Sequence, residues 1–314
     1  MKTFFKILLA ALAVIVLGLG IHWAVWALKA PVPNKELVNY GTFQEIDGMQ
    51  IHLEHEGTGT PVILIHGYTS TLYTWRFNFH ELAKESSVWS IDLPGFGYSD
   101  KPKDFDYSLN GFADFMVKFM DAEGIKKAVL VGNSMGGDIS IETYLKYPDR
   151  VEKLVLVDSG GYPEEKEGGG FFLFDLMQYP VAGDILMSFN YRWVIKQSLL
   201  SGIYYDNKFV TDDVIDSYYN VYRTENGKKA PLWVGRSIDW DNDLGAEKIK
   251  TIAVPTLVIW GKNDTLIPAR QADYFGRDIA GAKVVVIPEA GHLPHEEKAD
   301  EVNKLISEFI KTGK

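Results

Sequence analysis

A chain of 314 residues, 46% hydrophobic and 24% charged, is long enough for one large core with an insertion and short for two independent domains. Its formal net charge of −10 argues against nucleic acid or a strongly anionic surface as partner. Cysteine is absent, which excludes disulfides, thiolate metal sites, a cysteine nucleophile and a lipidated N-terminal cysteine.

From Ile7 to Leu28 the only ionisable residue is His22, and Lys2 and Lys6 precede the run. That length suffices for a helix to cross a hydrocarbon layer of about 30 Å. Its apolar core exceeds the roughly 7–15 residues of a signal peptide. Trp23 and Trp26 suit an interfacial belt. The expectation is therefore an uncleaved single-pass anchor over residues 1–30, with a removed signal peptide as the alternative. The charge bias places the catalytic domain on the periplasmic or extracellular side. Pro31 to Glu36 then reads as a proline-marked polar linker, over residues 31–39.

Tyr40–Ile46 and Met49–His55 predict a hairpin turning at Asp47 and Gly48. Apolar runs at Val62–Ile65, Ser87–Ile91, Ala128–Val131, Leu154–Val157, Thr256–Trp260 and Val284–Ile287 alternate with helical segments. Such a pattern predicts an α/β fold with a mostly parallel sheet covered on both faces, where functional residues gather at the carboxyl ends of the strands. No internal repeat or phosphate-cradling glycine loop is evident.

The third run leads into Gly132, Asn133, Ser134, Met135 and Gly136, and helix-compatible sequence follows to Tyr147. This is G-x-S-x-G between a strand and a helix. There the tight turn holds the serine in a strained conformation with its hydroxyl exposed, and the glycines let strand and helix approach. A serine nucleophile needs a base, and the base needs an orienting group. Asp264 lies just past the strand ending at Trp260, and His292 follows Gly291 just past the strand ending at Ile287. The order Ser134, Asp264, His292 is that of a catalytic triad in such sheets. His295 is expected at the surface at the start of the last helix. Oxyanion donors are expected from the backbone N–H of Met135 and of Tyr68, the latter on the loop after the strand Val62–Ile65. His66 reads as structural in that loop, Asp92 as a turn residue, and Asp138 as a first-turn helix carboxylate. Asp158, ending the strand after the elbow helix, is a second candidate for the triad acid.

Between Asp158 and Pro255 the alternation stops. Glu164 to Gly170 is polar and glycine-rich, and Phe171, Phe172 and Phe174 follow. Helical pieces rich in Tyr, Trp and Phe continue to Trp240. An insertion there, over residues 159–250, would form a helical cap between two parts of the core, 40–158 and 251–314. Most of its aromatics must form the cap's own core, with a few facing the serine. The three phenylalanines beside the glycines are a candidate lid.

The motifs at His66 and Gly67, Asp92 to Ser99, Gly132 to Gly136, Gly261 to Asp264, and Gly291 and His292 together resemble the α/β-hydrolase superfamily over residues 40–311. Within it the chain looks like anchored serine esterases and monoacylglycerol lipases. It departs from dehalogenases and epoxide hydrolases, which place an aspartate at the position of Ser134. The elbow Gly132 to Gly137 also resembles that of hydrolases cleaving carbon–carbon bonds in ring-fission products, which ranks second. The resemblance implies cleavage of carboxylic esters, favouring lipid-derived acyl esters, through an acyl-enzyme and without metal or organic cofactor. Carbon–carbon hydrolysis would call for a basic pocket, for which Arg192, Lys196, Arg223 and Arg236 are the cap's candidates. A slow, ligand-sensing member of the fold is a further alternative.

Overall fold

The hairpin turn at Asp47 and Gly48 puts both residues at positive φ, 52° and 76°, as a tight two-residue connection requires. It joins β1 (Thr42–Ile46) to β2 (Met49–Glu56) in antiparallel register. The computed structural model describes residues 30–163, 179–188, 192–240 and 244–314, with isolated positions before residue 30. Six further strands follow: β3 (Thr60–Ile65), β4 (Ser86–Ile91), β5 (Ala128–Asn133), β6 (Val151–Val157), β7 (Thr256–Gly261) and β8 (Lys283–Ile287). They assemble in the order β1-β2-β4-β3-β5-β6-β7-β8, with β2 antiparallel to β4 and every pair from β4 to β8 parallel.

Apolar side chains along the inner strands alternate between two cores. Leu130 and Leu156 face Phe112, Phe119 and Ile139 on one side of the sheet. Val129 and Val131 face Phe79, Val302 and Phe309 on the other. Both faces are covered, so β5 and β7 are buried along their whole length. The helix Leu109–Ala122 supplies Phe112, Phe115 and Phe119, each fully buried, and removing any one ring to alanine should cost about 3–5 kcal/mol. Ser108 starts that helix by accepting the Gly111 N–H on its side chain.

One strand departs from the expectation of a buried run. β8 lies at the sheet edge with only β7 as neighbour, leaving Lys283 exposed and Val286 41% exposed. An unbroken apolar sequence cannot distinguish an inner strand from an edge strand.

From β3 the chain moves to β4 on one side and later to β5 on the other. This reversal opens a crevice outside the carboxyl ends of β3 and β5, where such sheets bind ligands. The His66–Ser70 loop and Ser134 both lie there.

Between β6 and β7 come the helices Pro180–Ser188, Arg192–Ser198, Asp212–Val221 and Ala230–Ser237. Buried residues of this stretch, among them Ile195, Tyr204, Val214, Ile215, Tyr218 and Leu232, form a separate core joined by Tyr98 and Leu293 of the main body. The aromatic richness of this stretch thus serves its own packing first. The segment 164–170 and the lid candidates Phe171, Phe172 and Phe174 lie outside the described residues.

The membrane-anchored location is corrected. No helix among the described residues is long and apolar enough to cross a membrane. Most of Ile7–Leu28 lies outside the described residues, and one described residue of it contacts the body. His22 Nε2 lies 3.1 Å from the Ser188 carbonyl. The supposed linker is docked as well: Val32 donates its N–H to Arg223 O, Asn34 bonds Tyr98 O, and Leu37 and Val38 pack on the cap core.

Candidate active site

β5 ends at Asn133, and Ser134 caps the helix Met135–Lys146 with φ 54° and ψ −124°. A non-glycine residue holds such angles only when its surroundings impose them. Here Ser134 N–H donates to Val157 O at 3.0 Å, while its carbonyl accepts from Gly137 at 2.8 Å and Gly160 at 3.2 Å. The elbow glycines are sterically required. A Cβ on Gly132 would run into the Gly136 carbonyl oxygen, and one on Gly136 into that of Ile65. Ser134 is half-buried and stands at the positive end of a helix whose first N–H groups have no partners within it.

The loop after β3 passes directly against it, since a Cβ on Gly67 would lie 3.0 Å from Ser134 Cβ. Tyr68 follows Gly67 on this loop, and Met135 follows Ser134 at the start of the helix. The Tyr68 side chain reaches into the cap, where its hydroxyl donates to Pro231 O at 2.6 Å. His66 holds the loop from beneath: Nδ1–H donates to Gly67 O at 2.8 Å and Nε2 accepts from Leu93 N–H at 3.1 Å. Complete burial lowers its pKa and keeps it neutral, as that bonding demands.

Asp264 and His292, 28 residues apart in sequence, meet with Nδ1 2.8 Å from Oδ2. Asp264 Oδ1 accepts the Leu266 and Ile267 N–H groups at 2.7 and 3.0 Å, which fixes its carboxylate plane. With Nδ1 donating to Asp264, a neutral His292 presents Nε2 as an acceptor, the state required of a general base. The base loop is pinned from two directions. His292 N–H donates to Ile203 O of the cap at 2.9 Å, and Gly291 N–H donates to Glu297, whose other oxygen takes the Asp206 N–H.

Several contributors escape sequence reasoning. Asn133 Nδ2 donates to Val157 O at 3.1 Å and to His292 O at 3.2 Å, tying the elbow to the base loop. Its place directly before the nucleophile was the only available signal. His295, expected at the surface, is fully buried: it lies 2.8 Å from Thr74 Oγ1, and its ring packs on Trp75. Burial and the Arg76 charge push its pKa far below the ordinary value. Beside it, fully buried Glu296 accepts from Thr74, Tyr204 and Arg76 at 2.6, 2.7 and 2.7 Å. That carboxylate joins the loop after β3, the base loop and the cap. Asp92, as expected of a turn residue, collects Leu72 and Tyr98 N–H groups together with His52 Nδ1.

Asp158, Asp264 and His292 offer ligand-type atoms within 4.8 Å of one another. Within this group Asp264 bonds His292 directly, and Gly261 N–H donates to Asp158 Oδ1 at 2.9 Å. A shallow groove of about 620 Å³ between His55, Trp89 and Lys126 lies at the amino ends of the strands, away from this chemistry.

The family model of the alpha/beta hydrolase fold matches residues 60–299. An uncharacterized hydrolase of Bacillus subtilis (strain 168) is 27% identical over 271 residues, which is 85% of this chain and 96% of that protein. The 2-hydroxymuconate semialdehyde hydrolase of Pseudomonas sp. (strain CF600) is 29% identical over 272 residues, 84% of this chain and 91% of that one. A solved meta-cleavage product hydrolase of Pseudomonas fluorescens IP01 matches with a TM-score of 0.75 and 27% identity, covering 87% of this chain and 98% of the other. These relatives turn the reading away from the anchored monoacylglycerol-lipase branch and toward the resemblance ranked second.

Proposed function

Because the chain belongs to the alpha/beta hydrolase fold family, we propose that it is a serine hydrolase cleaving a carbon–carbon bond in a ring-fission product, a vinylogous diketone bearing a carboxylate. Serine hydrolysis is supported by the 2.8 Å Asp264–His292 pair, whose histidine carbonyl accepts from Asn133, the residue before the strained Ser134. The substrate class is supported by the 29% identity to 2-hydroxymuconate semialdehyde hydrolase over 84% of the chain.

In this reading Ser134 Oγ attacks the ketone carbon while His292 Nε2 takes its proton, and Asp264 stabilises the imidazolium. The Tyr68 and Met135 N–H groups receive the oxyanion, an arrangement worth about 3–4 kcal/mol per donor. Collapse breaks the carbon–carbon bond. Its electron pair is delocalised into the conjugated ketone, and His292 returns the proton there. A water activated by His292 then hydrolyses the acyl-serine and releases a carboxylic acid. The same residues could cleave an ester, with an alcohol leaving in place of the carbon fragment.

The carboxylate needs a counter-charge. Arg192 is committed to Asp212 and Asp216, and Lys196 and Arg223 are exposed. Arg236 is half-buried and follows Gly235, where a Cβ would lie 2.9 Å from the Tyr68 hydroxyl. It adjoins the residue packed on Tyr68 of the oxyanion loop, and we assign it the carboxylate.

The test is a fluorophosphonate probe on the protein and on Ser134→Ala, followed by turnover of synthetic ring-fission dienoates, p-nitrophenyl esters and monoacylglycerols. Expected are labelling at Ser134 only and a kcat/KM for dienoates above that for any ester. Efficient ester turnover with none of the dienoates would return the ester reading. Persisting hydrolysis in Ser134→Ala would remove the nucleophile assignment.

A further inference from the structure

Asp158 directly follows β6 at φ 43°, fully buried, with its backbone N–H bonded to Ile259 O at 3.0 Å. Its Oδ1 accepts a single N–H, from Gly261, and its Oδ2 has no hydrogen-bond partner by geometry. Its carboxyl shares a pocket with Asp264 and His292, all within 4.8 Å. Two carboxylates buried this closely cannot both be ionised, because the second charge would meet the first in a medium of low dielectric.

The bonding decides which of them keeps the charge. Asp264 accepts two backbone N–H groups and faces the imidazole, so its anionic form is triply supported. Asp158 has one donor. We propose that Asp158 is a positioning residue that carries a proton on Oδ2 and directs it at Asp264, so that the triad acid is held by a neutral carboxyl at its back. Asp158 would then act through Asp264 and touch no substrate.

This resolves an otherwise costly arrangement, since an unpartnered buried carboxylate oxygen would be destabilising, whereas a protonated one supplies a donor. Burial first, and then the charge of Asp264, raise the Asp158 pKa well above its ordinary value, in the same direction. Glu297 is the other acid facing it, and its charge acts the same way. The single ionised partner leaves one negative charge beside His292 instead of two. A second charge would over-stabilise the imidazolium and slow return of the proton to the leaving group.

The inference rests on the reading of Asp264 and His292 as the acid and base serving Ser134, and its test separates the two. Asparagine preserves the shape and the donor of a neutral Asp158, so Asp158→Asn is expected to keep kcat within about threefold and an unchanged acid limb of the pH–rate profile. Asp158→Ala, which removes the donor, is expected to lower kcat by about 10–100-fold with little change in KM. The infrared difference spectrum between the unsubstituted protein and Asp158→Asn near pH 7 should show a protonated-carboxyl C=O band that the substitution removes. This band does not depend on turnover, so it reports on the proton even if Ser134→Ala shows the triad assignment to be wrong. Absence of the band, or an Asp158→Asn variant as inactive as Asp264→Asn, would overturn the proposal.

Discussion

Asn133 and His292 lie 159 positions apart, yet the side-chain amide of the first donates to the backbone carbonyl of the second at 3.2 Å. The residue preceding the candidate nucleophile therefore fastens the loop that carries the candidate base. Asn133→Ala would take the side-chain donor from the His292 carbonyl, while the Val157 carbonyl would keep the Ser134 N–H. A loss of about 1–3 kcal/mol in denaturant unfolding is expected, together with a fall in kcat larger than any rise in KM. A mutant with wild-type kcat would show that the bond is irrelevant to the base.

The strained angles of Ser134 imply a conflict between function and stability. A side chain in this region costs about 1–3 kcal/mol, and glycine adopts it freely at some expense in chain entropy. Ser134→Gly should therefore raise unfolding stability by about 1 kcal/mol while reducing turnover by about 10⁴-fold or more. Calorimetry and a turnover assay on the same sample check both halves.

His52 and Asp92 form a fully buried pair with Nδ1 2.7 Å from Oδ2, which holds β2 to the loop after β4. Burial opposes the His52 charge, but the Asp92 hydrogen bond and charge outweigh it, so its pKa is raised above 6.5. Burial likewise opposes the Asp92 charge and is outweighed by His52, which lowers that pKa below 3.8. The histidine's contribution is complete below pH 6.5 and is lost as pH rises through its folded value. The aspartate's is complete above pH 3.8 and is lost as pH falls through its own. The stability difference between wild type and His52→Gln should accordingly be largest between these limits and shrink on the alkaline side. A difference that grows with pH would contradict the pairing.

Glu296 is fully buried against Arg76, whose guanidinium also lies over the Tyr73 and Phe77 rings at 4.3 Å. Glu296→Ala leaves that cation without its carboxylate and should cost about 3–5 kcal/mol. Tyr204→Phe removes one of three donors to the same carboxylate and should cost about 1–3 kcal/mol. Equal losses in the two variants would mean that the ion pair is not the dominant interaction. Urea midpoints of both measure this directly.

Arg236→Ala should raise KM for carboxylate-bearing dienoates by about tenfold, the loss of one charge-assisted contact, and leave neutral esters within twofold. A uniform loss over both classes would show a structural role in the cap, where the guanidinium also donates to the Tyr179 and Pro180 carbonyls.

What could be read from the chain alone was local. Asp47 and Gly48 announce a turn that needs two positive φ angles, and Gly132 and Gly136 an elbow that needs two absent Cβ atoms. Asp264 and His292 were recognisable because each sits a few residues past an apolar run. Features decided by distant partners were not readable. His295 is buried because Thr74, 221 positions away, meets it, and nothing near His295 records that. The edge position of β8 depends on sheet order, which apolar content does not encode. The N-terminal apolar stretch suggested a membrane because its composition is apolar, while the docking of residues 32–38 on the cap depends on Tyr98 and Arg223.

The hydrogen bond from His292 N–H to Ile203 O has a bearing on how this scaffold can be modified. Cap and base loop share that peptide contact, so the insertion is not a detachable module. A graft that exchanges the cap to alter substrate scope must keep the stretch from Ile203 to Asp206 with the recipient body, joining the foreign helices beyond it. Chimeras cut inside that stretch should fold their caps and still lose the geometry of the imidazole, whatever pocket they acquire.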